Sequence, residues 1–398
     1  MGTFYVYNKA YVGKYYWTEK RTRVSGVFSY DDQYLAENSR WNIDPTLALV
    51  SGAQPIKSGL PGAFQDASPD RWGKTLIRHR HIRESKNSGI TPKTLNDVDY
   101  LMGVSDSSRH GDLRFSMEIN GEFQHPSEDI PKLISLPKLL YASNQYIEKQ
   151  DEDAISYLLD AGSASLGGAR PKTAVLDGED LYIAKFPHRH DKWNVMAWEW
   201  VCLQIAAEAG ISTPENKLIK VDEQSVFMAK RFDRIKQERV GYISMMTLLG
   251  LTDNESADYF EIAERLHDVS VSAKKDLEEL FRRIVLSLLV NNTDDHLRNH
   301  GLLRNGSGWR LSPAFDINPN PDKATTRVTS IFGEPEKEPA FVALRANASS
   351  FDLTLEEANK IISEVSTATK SLEKYAKNAG IDNAERKAML QAIETTIA

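Results

Sequence analysis

The sequence predicts an α+β protein of two or three domains, with strands concentrated in the first part of the chain and helices in the last. Short strand-like runs punctuated by glycine and proline occur up to about residue 110, and helices alternate with hairpins from about 139 to 231. Strand signals become sparse after about residue 240. The length of 398 residues fits two or three domains of ordinary size.

Composition excludes several classes of protein. The net charge of -7 argues against a bulk surface that coats nucleic acid or anionic membrane, although it allows a local basic patch. The single cysteine, Cys202, excludes an internal disulfide and a multi-cysteine zinc module, and we expect it to be buried as a small apolar residue. No apolar run is long enough for a transmembrane helix, and Met1–Lys14 lacks a signal-peptide core, so we expect a cytoplasmic protein without a membrane partner.

The first part of the chain mixes strands with one helix. Strands are predicted at Thr3–Val6, Val24–Tyr30 and Gly111–Met117, and a helix from about Asp70 to His81. The segment Glu122–Lys138 contains three prolines and is predicted to be an extended connector.

Helices and hairpins alternate in the middle of the chain, and helices dominate after it. The predicted order is a helix, a hairpin, a helix and a second hairpin: Leu139–Ala161, Thr173–Leu176 with Leu181–Phe186, Lys192–Ala209, and Lys217–Val221 with Ser225–Lys230. A buried helix, Leu277–Asn291, is followed by three terminal helices near 354–365, 367–378 and 384–397.

A dense polar stretch, 291–299, follows this apolar helix directly. It could be an exposed loop of turn-forming residues, or a metal site formed by Asp294, His296 and Asn299. It could also be a loop for phosphoryl transfer, in which an Asp accepts or orients the hydroxyl proton of the substrate and an Asn five residues later binds Mg²⁺. Asp294 and Asn299 have that spacing.

Residues elsewhere favour phosphoryl transfer. Asp316 follows a short strand after the polar stretch, where a second Mg²⁺ ligand is expected. Upstream, the small-residue segment 162–172 could bring backbone N–H groups close to phosphates, although it matches no standard phosphate-loop motif and could equally be a flexible turn. Lys185 on the next strand and Glu199 on the next helix could pair beside the nucleotide, whereas an isolated strand lysine would simply be exposed.

The order of these features is that of a protein-kinase-like bilobal fold, with a β-rich N-lobe and an all-helical C-lobe, preceded by an N-terminal α/β subdomain. The boundaries predicted from it are 1–110 for the subdomain, 111–234 for the N-lobe with its glycine-rich loop and hinge, and 235–398 for the C-lobe with the catalytic loop.

The chain resembles the HipA family of serine/threonine kinases, the toxins of bacterial HipBA-type toxin–antitoxin systems. The resemblance is carried by these segments: 165–173, 184–186, 230–234, 292–299 and 311–316. The segment 60–73 is also similar to the family's amino-terminal subdomain, with Arg71 standing where the usual motif has a small residue.

The resemblance implies a role for each motif residue. Asp294 would be the catalytic base, and Asn299 and Asp316 would hold Mg²⁺. We expect Asp295 to face solvent, but it would become the base if the register were shifted by one residue. The residues implied around ATP are Lys185, Glu199, Ser165, Gly167, Gly168, Lys172, the hinge residues Met228, Lys230 and Phe232, and His296, which would help to hold the loop.

Members of the family inactivate themselves by autophosphorylating a serine in the small-residue loop. The matching position is Ser165, and Ser163 is a second hydroxyl nearby. A phosphate there would add close to two negative charges and repel ATP. Arg170 and Lys172 would neutralise ATP phosphates or bind the phosphoserine, unless they are simply a solvated pair.

The function implied is therefore that of a Ser/Thr protein kinase toxin with ATP and Mg²⁺ as cofactors. Its substrate would belong to the translation machinery, of the aminoacyl-tRNA synthetase type, and its partner would be a DNA-binding antitoxin of HipB type. One alternative is a co-repressor that reaches DNA only through the antitoxin. Another is a metal-dependent hydrolase, which would need neither Lys185 nor the glycine loop.

Overall fold

A computed structural model describes residues 1–56, 59–124, 130–149, 151–161, 163, 170–236, 238–253 and 255–393. The chain forms two compact units. The first contains Met1–His190, Val221–Gln224 and Asp233–Ile243, and the second contains Asp191–Lys220, Ser225–Phe232 and Ser244–Ala398. The predicted three-part division at residues 110 and 234 stays a prediction.

An antiparallel sheet opens the first unit. Its five strands are β1 (Gly2–Tyr7), β2 (Tyr11–Lys20), β3 (Arg23–Tyr30), β4 (Gln54–Ile56) and β5 (Arg114–Ser116), in the order β4-β3-β2-β1-β5. Alternate side chains of the sheet point to one face, where Phe4, Tyr15, Phe28 and Phe115 surround the buried ring of Phe64.

Helices and a hairpin complete the first unit. The helices are α1 (Asp32–Ala36), α2 (Gly62–Asp66), α3 (Arg71–Asn87), α4 (Asp97–Met102), α5 (Leu136–Lys149) and α6 (Glu152–Asp160). The further strands are β6 (Lys172–Asp177), which pairs with β7 (Asp180–Lys185), and β10 (Arg234–Ile235), which pairs with β11 (Glu238–Arg239).

Two predictions for this unit are wrong. The helix predicted over 139–161 is two helices, because the carboxylate of Asp151 caps α6 by accepting a hydrogen bond from the backbone of Ala154 at 2.8 Å. The connector predicted over 122–138 is not extended throughout, since Leu133–Ser135 form a 3₁₀ turn that leads into α5.

Helices dominate the second unit, as predicted. Its elements begin with α7 (Val195–Glu208) and the neighbouring strands β8 (Asn216–Val221) and β9 (Gln224–Lys230). Strand β12 (Tyr242–Ser244) leads to α8 (Met245–Leu248), α9 (Tyr259–Val269) and α10 (Ala273–Leu289), and then to the hairpin of β13 (Gly301–Asn305) and β14 (Gly308–Leu311). The last helices are α11 (Lys337–Ala346), α12 (Leu355–Thr369), α13 (Leu372–Asn378) and α14 (Asn383–Ile393).

The core of the second unit is built around α10. Its apolar side chains, among them Leu280, Phe281 and Ile284, are fully buried, and it packs against α9 and α12. Cys202 on α7 is buried as predicted, and burial raises the pKa of its thiol, so it is an inert packing residue. Within the described residues, no helix combines the length and apolarity needed to cross a bilayer.

Candidate active site

The polar stretch after α10 is a tightly held loop, so the exposed-loop alternative is wrong. Asn291 adopts a left-handed backbone (φ 54°) that turns the chain away from α10. The loop is then fixed to a neighbouring segment, because the Val328 amide donates to the Thr293 carbonyl at 3.0 Å and the Asn320 side chain donates to the Thr293 hydroxyl at 2.8 Å. Of residues 292–300, only Asp294 is exposed.

Asp294 is therefore the residue that this loop presents to solvent. The Asn299 side chain donates to the Asp294 carbonyl at 3.1 Å, as does the backbone amide of His296. Partial burial raises the pKa of the Asp294 carboxyl, the neighbouring Asp316 and Asp295 add to this rise, and His296 opposes it. The predicted base is thus accessible, held by its own backbone and close enough to Asp316 to feel its charge.

Asp295 is fully buried, so the expectation that it faces solvent is wrong. Its carboxylate accepts hydrogen bonds from the hydroxyls of Tyr259 and of Ser287, the latter at 2.9 Å, and lies 3.0 Å from His300 Nε2. Burial alone would raise the pKa of Asp295, but His300, Tyr259 and Arg327 together lower it well below its usual range. Asp295 therefore stabilises the loop and is not accessible to a substrate. This excludes the alternative in which the motif is shifted by one residue and Asp295 is the base.

Arg327 joins this buried network from a distant segment. Its guanidinium donates to the Ser287 hydroxyl at 2.8 Å and to the Asn292 carbonyl at 2.7 Å. The hydroxyl of Thr329 donates to the Asp295 carbonyl at 2.6 Å. These contacts tie both ends of the loop to α10 and to the segment 327–329.

Asp316 lies on a segment that is fixed just before it. The buried guanidinium of Arg283 donates to the Ser312 carbonyl at 2.6 Å, and the Ser312 amide donates to the Gly301 carbonyl at 2.8 Å. The backbone of Asp316 is left-handed (φ 58°), a conformation that few non-glycine residues adopt. Asn318 donates to the Asp316 carboxylate at 3.3 Å.

The oxygen donors of this site suit a hard divalent cation. The described residues contain no group of three or more His, Cys, Asp and Glu side chains placed for a metal. Mg²⁺, however, is usually bound by one or two protein carboxylates together with substrate phosphates and water. The buried Oδ1 of Asn318, beside Asp316, accepts no hydrogen bond within the part of the chain that the structure describes, which fits a cation nearby.

The predicted hinge lies in the second unit. Met228 is buried within β9, and the amide of Lys230 donates to the Glu215 carbonyl at 2.7 Å, so this donor is already used. The ring of Phe232 packs against Phe315, next to Asp316, with centroids 5.6 Å apart. The predicted hinge thus contacts the segment that carries Asp316.

The predicted phosphate-binding cations lie on the β6–β7 hairpin. Lys172 and Lys185 are opposite each other in its register and therefore share one face. Lys185 is half-buried, in place of the exposed strand lysine of the alternative interpretation, and Arg170 is also half-buried. Lys172 is buried with its ammonium 3.6 Å from the carboxylate of Asp70, so the solvated-pair alternative is wrong for this residue.

Other predicted residues of the nucleotide site can be placed only in part. Ser165, Gly167 and Gly168 lie outside the described residues. Ser163 is fully buried, and its hydroxyl has no hydrogen-bond partner in the described part of the chain. Glu199 is buried on α7 in the second unit, whereas Lys185 belongs to the first, and their pairing stays a prediction.

Sequence reasoning missed the residues that hold Asp295. These are Tyr259, Ser287, His300 and Arg327, which come from four separate elements. No spacing connects them, and the only available signal was that polar side chains such as Ser287 interrupt an otherwise apolar helix face.

Fold and site together define a protein of the kinase-like class in which a rigid loop presents one accessible carboxylate beside a second. The sequence pattern of the HipA-like C-terminal domain matches residues 164–372, more than half of the chain. The chain therefore belongs to the HipA family, which confirms the resemblance.

Relatives and a solved structure agree with this assignment. A Sinorhizobium fredii protein named "Putative kinase Y4dM" is 23% identical over 321 residues, covering 73% of this chain and 71% of that protein. A Haemophilus influenzae "Putative kinase" is 27% identical over 143 residues, which is 31% of this chain and 42% of that relative's length. The HipA of Shewanella oneidensis, solved with HipB and its operator DNA, matches 98% of this chain and 95% of its own at a TM-score of 0.67 and 12% identity. This match shows the fold and confirms the predicted fold class.

Proposed function

We propose that the protein is an ATP-dependent serine/threonine protein kinase. The single observation that carries the proposal is that a buried network anchors the loop 292–300 and leaves only Asp294 exposed, beside Asp316. Names of relatives as putative kinases support the same class of chemistry.

In this proposal Asp294 accepts the proton of a substrate hydroxyl. An exposed carboxylate can be reached by a side chain of another protein, whereas the buried Asp295 cannot. The raised pKa of Asp294 makes its carboxylate a better proton acceptor than that of an ordinary aspartate. Asn299 fixes the Asp294 backbone by its hydrogen bond at 3.1 Å and so orients the carboxylate.

Asn299 and Asp316 would hold Mg²⁺, with Asn318 as a neighbouring donor. When bound, the ion would neutralise charge on the phosphates of ATP. The proximity of Asp316 to Asp294 supports this arrangement, because the charge of Asp316 raises the pKa of Asp294 and a cation between two like charges would relieve their repulsion. Lys185, on the same hairpin face as Lys172, would contact the phosphates, with Glu199 as its ion-pair partner.

Transfer of the γ-phosphate from ATP to a generic protein substrate tests the proposal. The wild-type protein should phosphorylate serine or threonine, and Asp294→Asn should lower kcat by several orders of magnitude while the protein remains folded. Asp153→Asn, which changes an exposed aspartate on α6 that makes no contact with the loop, is the matched control and should keep full activity. Full activity of Asp294→Asn would remove Asp294 from the role of base.

The biological role proposed is that of a cytoplasmic toxin controlled by a DNA-binding antitoxin of HipB type. The similarity to a HipA solved with HipB and operator DNA supports this partner. The substrate would be a protein of the translation machinery, of the aminoacyl-tRNA synthetase type. Labelling of a cell extract with the purified chain and γ-labelled ATP would identify it, with Asp294→Asn as the blank.

Self-inactivation would occur at a serine of the small-residue loop. The burial of Ser163 favours Ser165, because a hydroxyl must reach the nucleotide before it can accept phosphate. Mass spectrometry after incubation with Mg·ATP should find phosphate on Ser165 and none on Ser163. Ser165→Ala should then keep activity over time, and phosphate on Ser163 alone would contradict this choice.

A further inference from the structure

Helix α3 carries a concentration of positive charge. Its 17 residues contain four arginines, two lysines and one glutamate, in a protein whose net charge is -7. A local basic element in an acidic protein needs a physical reason, because like charges on one helix repel each other.

The cations lie on the side of α3 that faces away from the core. Trp72, Leu76 and Ile77 are buried in the cluster that α3 forms with α4, α5 and α6. At 100° per residue, Arg71 and Arg78 project from the opposite side, and both are exposed. Lys86, two turns further, is also exposed, and Lys74 is half-buried between them.

These exposed cations are not neutralised by the protein. Among the described residues, no carboxylate lies within ion-pair distance of Arg71, Arg78 or Lys86. By contrast, Arg83 on the α6 side of the helix donates to the Glu152 carbonyl at 3.3 Å, and Arg80 donates to the Gly103 carbonyl at 2.9 Å. The structure therefore engages the arginines near the core, and Lys74 Nζ lies over the Tyr100 ring, 5.6 Å from its centroid, whereas Arg71, Arg78 and Lys86 remain exposed.

We propose that the outer row of α3, defined as Arg71, Arg78 and Lys86, binds the phosphate backbone of duplex DNA. The row runs from Arg71 to Lys86, 15 helical steps that span about 22 Å at 1.5 Å per residue. Duplex DNA presents a phosphate about every 3.4 Å of axis on each strand, so several phosphates lie within that length. Guanidinium groups suit phosphate because they can donate two parallel hydrogen bonds.

A membrane surface does not fit the same helix. A helix that binds anionic lipid inserts an apolar face between headgroups. The apolar face of α3, formed by Trp72, Leu76 and Ile77, is buried inside the protein. Such backbone contacts carry no sequence information, so this chain would strengthen binding to DNA without choosing the site.

Fluorescence anisotropy with a labelled 30-base-pair duplex of arbitrary sequence tests the proposal on the full-length chain alone. Wild-type protein should bind at about 50 mM salt and lose affinity as salt increases. The triple variant Arg71→Gln, Arg78→Gln, Lys86→Gln should bind roughly tenfold or more weakly, and the slope of log Kd against log salt should fall by about 0.9 for each lost phosphate contact.

A matched triple variant separates a specific surface from general charge. Lys14→Gln, Lys20→Gln, Arg23→Gln removes the same charge from exposed positions on β2 and β3 and should bind as the wild type does. Circular dichroism should show both variants folded. The proposal is overturned if the wild type does not bind the duplex at 50 mM salt or if both triple variants lose affinity equally. It is also overturned if the α3 variant keeps its affinity for the duplex and loses affinity only for a labelled acidic peptide measured in parallel. Phosphoryl transfer is a separate readout, so neither result depends on the proposed kinase activity.

Discussion

The carboxylate of Asp295 lies 3.0 Å from Nε2 of His300, and both side chains are buried, Asp295 directly after Asp294 and His300 at the end of the same loop. The hydroxyl of Tyr259 contacts both partners, donating to Asp295 and lying 3.0 Å from His300 Nε2. Removal of either buried side chain is costly, because it leaves the hydrogen-bonding groups of its partners unsatisfied. The pair therefore fixes the loop geometry next to Asp294.

Asp295→Asn should weaken both stability and catalysis. It leaves His300 and Arg327 without their anion, and breaking a buried pair typically costs about 3–5 kcal/mol in the free energy of unfolding. A displacement of about 1 Å at Asp294 would lower kcat by roughly 100-fold. Urea unfolding and γ-phosphate transfer, measured at a temperature at which the variant is folded, check the two effects.

Tyr259→Phe is the graded control for Asp295→Asn. It removes one hydrogen bond to Asp295 and keeps the contact between Asp295 and His300, so it should cost about 1–3 kcal/mol and lower kcat less. If Asp295→Asn loses stability but keeps the kcat of the wild type, the pair does not position the catalytic loop.

Activity should decrease on acidification at a higher pH than an ordinary aspartate would cause. The pKa of Asp294 is raised, and a proton acceptor works only when it is ionised, so activity is present above this pKa and is lost as the pH falls through it. Asp316→Asn removes one neighbouring charge and should shift the acidic limb of the kcat profile to lower pH, even though total activity falls. An acidic limb at the same pH in both proteins would show that Asp294 is not the group that titrates.

The sequence indicated the residues of the candidate site, whose roles stay predictions, better than the network that supports them. The Asp294–Asn299 spacing and the later Asp316 are local patterns that chemistry dictates, and they could be recognised without a structure. The burial of Asp295 could not, because it depends on Tyr259, which is 36 residues earlier. The helix boundary at Asp151 had a capping signal, but the strongly helical pattern of 139–161 obscured it.

Asn318→Ala should weaken the response to Mg²⁺. Asn318 donates to Asp316 at 3.3 Å, and loss of a partner that orients a metal ligand typically reduces affinity 10- to 100-fold. The Mg²⁺ concentration for half-maximal activity should rise by roughly tenfold or more, with kcat largely recovered at saturating Mg²⁺. Asn305→Ala, at an exposed turn of the β13–β14 hairpin, should not change it. An unchanged Mg²⁺ response in Asn318→Ala would exclude Asn318 from the metal site.

The ion pair between Lys172 and Asp70 predicts a stability change that depends on pH. Burial raises the pKa of Asp70 to about 6, although Lys172 and the α3 backbone oppose this rise. Lys172→Met removes the opposing cation, so the pKa should rise further. In Lys172→Met, Asp70 is mostly protonated at pH 5 and therefore lowers the free energy of unfolding little. At pH 8 it carries a buried charge without its cation and lowers the free energy of unfolding more. The loss in free energy of unfolding should therefore be larger at pH 8 than at pH 5, as measured by urea titration.

Lys220→Met, at an exposed position on β8, is the control and should show no such difference. An equal loss for Lys172→Met at both pH values would contradict a stabilising charge pair.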